Sequence, residues 1–220
     1  MSAPVHEITQ LHHVLLVTAI LVQGLSASKT TTKTSKLNGW YPWSEYISGT
    51  GSSDVQAAEC ATYLAPLCYP GVFEAPEWMD QTVDIFVKRL PSSDPKTATN
   101  MWLLQGDPGF ASNDRDGIPD DYAVPTTPGS RERVYMDHRG TGRSTFQDCA
   151  TAQAITSGSP RGKSMDPSEV PTCAKALEDK YGDLVSFSTT SAAKDLVALL
   201  SEFTNGENII VYSTSYARYW

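Results

Sequence analysis

The residues best suited to chemistry stand near the carboxyl end of the sequence. Asn208-Ile209-Ile210-Val211-Tyr212-Ser213-Thr214-Ser215-Tyr216-Ala217 reads as a buried strand running into a tight turn with Ser215 at its apex. A free serine hydroxyl is a weak nucleophile, and the tip of such a turn exposes it to a base that can take its proton. Attack on a carbonyl also needs N–H donors preset for the oxygen that becomes negative. Two places can supply them: the backbone N–H of Tyr216 and the loop Gly106-Asp107-Pro108-Gly109, where glycine lets backbone approach closely. A third polar cluster, Asp137-His138-Arg139-Gly140-Thr141-Gly142-Arg143-Ser144, follows another apolar run.

These groups must be held by strands and helices. Thr82 to Leu90 alternates apolar and polar residues, which predicts a half-buried strand near a sheet edge. Thr99 to Leu104 is continuously apolar at its end, as a strand covered on both faces would be, and runs into the Gly106 loop. Arg133 to Asp137 predicts a third strand. Between residues 145 and 188 little regular signal survives Pro160, Pro167 and Pro171. Ala192, Leu196, Leu199, Leu200 and Phe203 then recur at helical spacing, entered from a Thr189-Thr190-Ser191 cap and left through Asn205-Gly206. Apolar strands alternating with a helix in this way predict a doubly wound, mostly parallel α/β sheet.

Composition narrows the partners. The formal charge is −8 and the sequence pI about 4.9, which argues against nucleic acid or an anionic membrane. The apolar run 14–22 and the small residues behind it suit a signal peptide over 1–27, the alternative being a buried strand or helix of the folded domain. That run is shorter than the ~20 apolar residues a membrane span needs. A polar lead-in covers 28–39, where Ser28 to Lys36 is too polar for a core, and a globular domain covers 40–220. Four cysteines, Cys60, Cys68, Cys149 and Cys173, suit disulfides in an oxidising compartment. Three pairings are possible, and pairing by sequence neighbours joins Cys60 to Cys68 and Cys149 to Cys173. Cys-x-x-Cys spacing is absent, so the cysteines give a zinc site little support. The spacing of acids in Asn113 to Asp121 resembles a calcium loop, but the full ligand set is missing and a solvated acidic loop is the better reading.

Three motifs in one order carry a family resemblance: Leu103-Leu104-Gln105-Gly106-Asp107-Pro108-Gly109, then Asp137 to Ser144, then Val211-Tyr212-Ser213-Thr214-Ser215-Tyr216. Together they resemble the prolyl iminopeptidase and tripeptidyl aminopeptidase family of α/β-hydrolase serine peptidases. The resemblance implies an α/β-hydrolase fold, no cofactor and no metal, and a peptide substrate with a free N-terminus from which residues are released. It places Ser215 as nucleophile and Gly106, Asp107 and Tyr216 at the oxyanion hole. In this fold the acid and histidine of the triad follow the serine. Asp137, His138, Arg139, Gly140, Gly142 and Arg143 are therefore read as shaping the loop beside the site, with both arginines paired to carboxylates.

The sequence departs from the family at the elbow, where Ser213 and Ala217 replace glycines, and in the oxyanion loop, where Asp107 does. The first two imply strain on the order of 1–3 kcal/mol, and the third sets a carboxylate beside a developing oxyanion. Tyr216 to Trp220 hold neither histidine nor carboxylate. The expectation is thus the front part of a secreted serine hydrolase, inactive as it stands, with an open sheet edge beside the nucleophile strand. The alternative is a secreted binding protein derived from a hydrolase.

Overall fold

The computed structural model describes residues 20–22, 37–43, 58–106, 109–112, 131–149, 166–203 and 208–219. Within them lie seven strands: β1 (Ile20–Val22), β2 (Tyr41–Trp43), β3 (Ala58–Pro66), β4 (Thr82–Leu90), β5 (Thr99–Leu104), β6 (Arg131–Met136) and β7 (Ile209–Ser213). Two helices, α1 (Val170–Tyr181) and α2 (Thr189–Glu202), lie between β6 and β7 in sequence. All seven strands form one sheet in the order β1-β7-β5-β6-β4-β3-β2.

This corrects the doubly wound, mostly parallel α/β-hydrolase sheet that the sequence suggests. Only β5 makes parallel pairs, with β6 and β7. The other four pairings are antiparallel. Both described helices also share one face. Tyr181 of α1 and Leu196 and Leu199 of α2 pack into a core with Tyr63, Ile85, Val87, Trp102, Leu104, Val134 and Met136. A much smaller cluster, Met101, Leu103 and Tyr135, gathers on the opposite face. The period-two alternation of Thr82 to Leu90 signals antiparallel pairing. Rather than lying near an edge, β4 sits between β3 and β6, antiparallel to both.

Local chemistry explains the helices. Pro171 falls in the first turn of α1, where its missing N–H leaves no bond unmade. Gly182, at φ 70, closes the helix by donating its N–H to the Glu178 carbonyl. Ser188 caps α2 by accepting the Ser191 N–H. The Cys149–Cys173 disulfide ties α1 to the chain that follows β6. The Cys60–Cys68 pairing does not form: Cys60 lies within β3 and Cys68 two residues beyond its end. At about 3.3 Å per residue the strand alone holds them roughly 20 Å apart, far beyond disulfide reach.

Within the segment read as a signal peptide, Ile20–Val22 pairs antiparallel with Val211, Ile210 and Ile209. The edge of β7 expected to be open is therefore occupied at those three residues. The rest of that segment, the lead-in before Leu37, Asp107, Pro108, the acidic loop 113–121 and Asn205-Gly206 lie outside the described residues.

Candidate active site

The parallel part of the sheet sets the site. Leu104 at the end of β5 is in register with Ser213 at the end of β7, and Leu103 with Tyr135 near the end of β6. The carboxyl ends of three parallel strands thus lie side by side, and the chain leaving them supplies Gly106, His138 and Ser215. Chain order reverses here, since β6 and β7 lie on opposite sides of β5. In parallel sheets such a switch point is where ligands bind.

Beyond Thr214 the backbone turns sharply. Ser215 adopts φ 49, the only positive φ found among the described non-glycine residues, and opens a 3-10 turn over Ser215–Tyr219. A serine in the left-handed region stores on the order of 1–3 kcal/mol. Its side chain is exposed. Gly106 is pressed against this turn: a Cβ there would fall 2.7 Å from Thr214 Oγ1, 2.8 Å from the Thr214 carbonyl and 3.3 Å from Ser215 Cβ. Only glycine fits. Ala217 is buried in the main core.

The donors expected for an oxyanion are engaged elsewhere. Tyr216 donates its N–H to the Gly106 carbonyl at 3.1 Å, and Gly106 donates its own to Gln105 Oε1 at 2.8 Å. Gln105 Nε2 in turn reaches the Ala111 carbonyl at 3.3 Å. A carbonyl oxygen therefore faces the position where an N–H would have to point.

The loop after β6 is tightly bonded. Asp137 is 1% exposed and accepts the Ser112 N–H at 2.6 Å and the Arg143 N–H at 2.9 Å. Gly142, at φ 54, lies so close that a Cβ would come within 2.6 Å of Asp137 Cγ and 2.7 Å of Ala111 Cβ. Gly140, at φ 89, donates to the Thr145 carbonyl at 2.9 Å. His138 is buried, with Thr141 Oγ1 3.4 Å from its Nδ1 and its ring centroid 6.4 Å from that of Tyr216. Arg143 lays its guanidinium 4.6 Å from the Trp43 ring and 5.1 Å from that of Phe86.

Arg139 leaves this loop for the core. Its guanidinium, fully buried, meets Asp195 of α2 in a two-pronged pair at 2.7 and 2.6 Å. The remaining N–H groups reach the carbonyls of Pro66, Leu67 and Ser186. Tyr69 donates its hydroxyl to Asp195 Oδ1 at 2.8 Å. Burial pushes the Asp195 carboxyl up from its ordinary value, against the hydrogen bonds and charge of Arg139. Burial, followed by the charge of Asp195 and the bond to it, raises the Tyr69 hydroxyl. Sequence reasoning missed Asp195, although it falls on the stripe of Ala192, Leu196 and Leu199 that α2 buries. An acid on a buried stripe demands a buried cation.

Among the described residues no group of His, Cys, Asp and Glu is placed to hold a metal ion, and no helix is long and apolar enough to cross a membrane. No protein-family model matches the chain, and no curated protein matches it.

Proposed function

We propose that this chain carries the nucleophile of a serine hydrolase, an exopeptidase of the prolyl or tripeptidyl aminopeptidase kind, with Ser215 as the attacking group. The observation that carries the reading is the left-handed, exposed Ser215 at the carboxyl end of the parallel strands, with Gly106 packed on its turn. The substrate class, a peptide with a free N-terminus, rests on the motif resemblance. Secretion is supported by the Cys149–Cys173 disulfide. A second reading, a secreted protein that binds peptides without cleaving them, is favoured by the internal bonds of the Tyr216 and Gly106 N–H groups.

Labelling by a fluorophosphonate, with and without imidazole as an added base, tests the assignment. Ser215 Oγ forms the bond to phosphorus, fluoride leaves, and imidazole takes the hydroxyl proton. Imidazole is expected to accelerate labelling of a peptide containing Ser215, and Ser215→Ala to abolish it. Equal labelling in Ser215→Ala, or no acceleration, removes the hydrolase reading. Saturable peptide binding without labelling would then favour the binding protein.

A further inference from the structure

A groove of about 870 Å³ lies between the 73–80 loop on one side and α1 with the turn after it on the other. Its floor is apolar and tight: a Cβ on Gly182 would come within 3.0 Å of Met79 Cε and 3.6 Å of Phe73 Cε1. Trp78 lines one wall with 72% of its surface exposed. Glu178, Asp179 and Asp183 line the other. Lys175 is the one cation among the lining residues, and its ammonium is committed to Asp179 at 2.6 Å and Glu178 at 3.7 Å. The loop bearing Trp78 adds exposed Glu74, Glu77 and Asp80 and has no lysine or arginine between 73 and 80. Nearby Lys180 is turned to Asp148 and to the Tyr181 ring.

An accessible indole on one wall facing carboxylates on the other is complementary to cations. Lysine and arginine side chains stack on indole, and surrounding carboxylates raise their local concentration. We propose that this groove docks an extended basic peptide segment, a lysine or arginine head resting on Trp78 with neighbouring cations facing the acidic wall of Glu178, Asp179 and Asp183. The site is separate from Ser215 in sequence and in its lining residues, and it asks for side-chain charge rather than a free N-terminus.

The probe is an N-acetylated, fluorescently labelled pentalysine amide followed by anisotropy. Acetylation removes the free N-terminus on which the exopeptidase reading depends, so this test and the Ser215 labelling fail independently. Saturable one-to-one binding is expected, weakened about tenfold by Trp78→Ala and likewise by Glu178→Lys. Acetylated pentaglutamate should not bind, and salt at ~0.5 M should weaken the lysine peptide. Both side chains are exposed, so an unchanged melting temperature will show that the fold is intact; Trp78→Phe, keeping a weaker ring, should lose less than Trp78→Ala. Binding that is absent, or as tight in Trp78→Ala or in Glu178→Lys as in the wild type, overturns the proposal. So does tighter binding when Lys29, Lys33 and Lys36 are changed to serine, because the chain's own basic segment would then be the occupant.

Discussion

The loop after β6 and the turn after β7 stand on either side of β5 and differ in almost every physical respect. In the first, Asp137 and Arg139 are each 1% exposed, and the Arg139 side chain alone makes five hydrogen bonds. The second exposes Ser215, and its bonds include Tyr216 N–H to the Gly106 carbonyl, Ala217 N–H to the Thr214 carbonyl and Arg218 Nε to the Ser215 carbonyl, each at 3.1 Å. The longest motif in the sequence is thus a brace, while the group proposed for chemistry lies on an exposed turn. Asp137, Arg139, Gly140, Thr141 and Ser144 of this motif each hydrogen-bond another group of the fold. A nucleophile needs only its position and its exposure.

Removing the centre of the brace should have the largest effect. Arg139→Met leaves Asp195 buried without its cation and should destabilise the protein by about 3–5 kcal/mol in a denaturant titration. Arg139→Met combined with Asp195→Leu should recover much of that loss, since neither charge then remains in the core. A loss under about 1 kcal/mol in the single variant would mean that the contrast between the two regions is overdrawn. Next in size is the disulfide. Cys149 and Cys173 close a loop with a sequence separation of 24, and reduction should cost about 3 kcal/mol by the chain-entropy estimate. Hydrogen exchange should rise most in α1; protection that stays uniform would show that the helix is held by its packing alone.

Gly142→Ala follows, at about 1–3 kcal/mol. A new Cβ would meet Asp137 and Ala111 in a backbone conformation that already disfavours it. Gly39→Ala is the control: it has φ 91 but nothing within 4 Å of the added carbon, so it should show the backbone penalty alone. Equal losses at the two sites would remove steric fit at Asp137 as the reason for glycine.

The sequence reveals unequal parts of this arrangement. β4 and β5 have the bounds that alternation and apolar runs suggest, and α2 begins at Thr189, close to its expected cap. These patterns are local and depend on a face meeting the core. β3 escapes because Cys60, Ala61 and Ala65 are small and its apolar residues do not alternate strictly. α1 escapes because prolines suggested a broken segment, whereas Pro171 occupies a place a helix accepts. The direction in which strands pair is non-local, so apolar strands alternating with a helix do not dictate it. At the site, Ser215, Gly106 and the Asp137–Ser144 loop do converge, but the direction of the Gly106 carbonyl depends on one peptide plane, which no residue type dictates.

Tyr69→Phe probes the brace more gently. Losing the donor to Asp195 should cost about 1 kcal/mol near neutral pH. The raised Tyr69 hydroxyl also has a pH signature. Its proton is held in the folded state above the ordinary value of 10.0, so above that pH the unfolded chain binds fewer protons and stability falls. Below it the contribution is constant. The wild-type protein should therefore lose stability as pH rises past about 10, and Tyr69→Phe should flatten that decline. Parallel declines in the two proteins would remove Tyr69 from the brace.

The smallest effect belongs to the other region. Ser215→Gly relieves the left-handed strain of a residue with a Cβ, worth roughly 1–2 kcal/mol. It also frees the unfolded chain, which takes back about 0.4–1 kcal/mol. The net change in stability should be a gain between zero and about 1.6 kcal/mol, because the exposed hydroxyl contributes little to packing. Ser215→Ala keeps the Cβ and the strain, so it should melt with the wild type. Together the two substitutions separate backbone geometry from the hydroxyl. A clear loss in Ser215→Ala would show the hydroxyl holding the turn together. The serine would then be part of the structure, as Arg139 is, and its exposed, strained placement would no longer argue for a nucleophile.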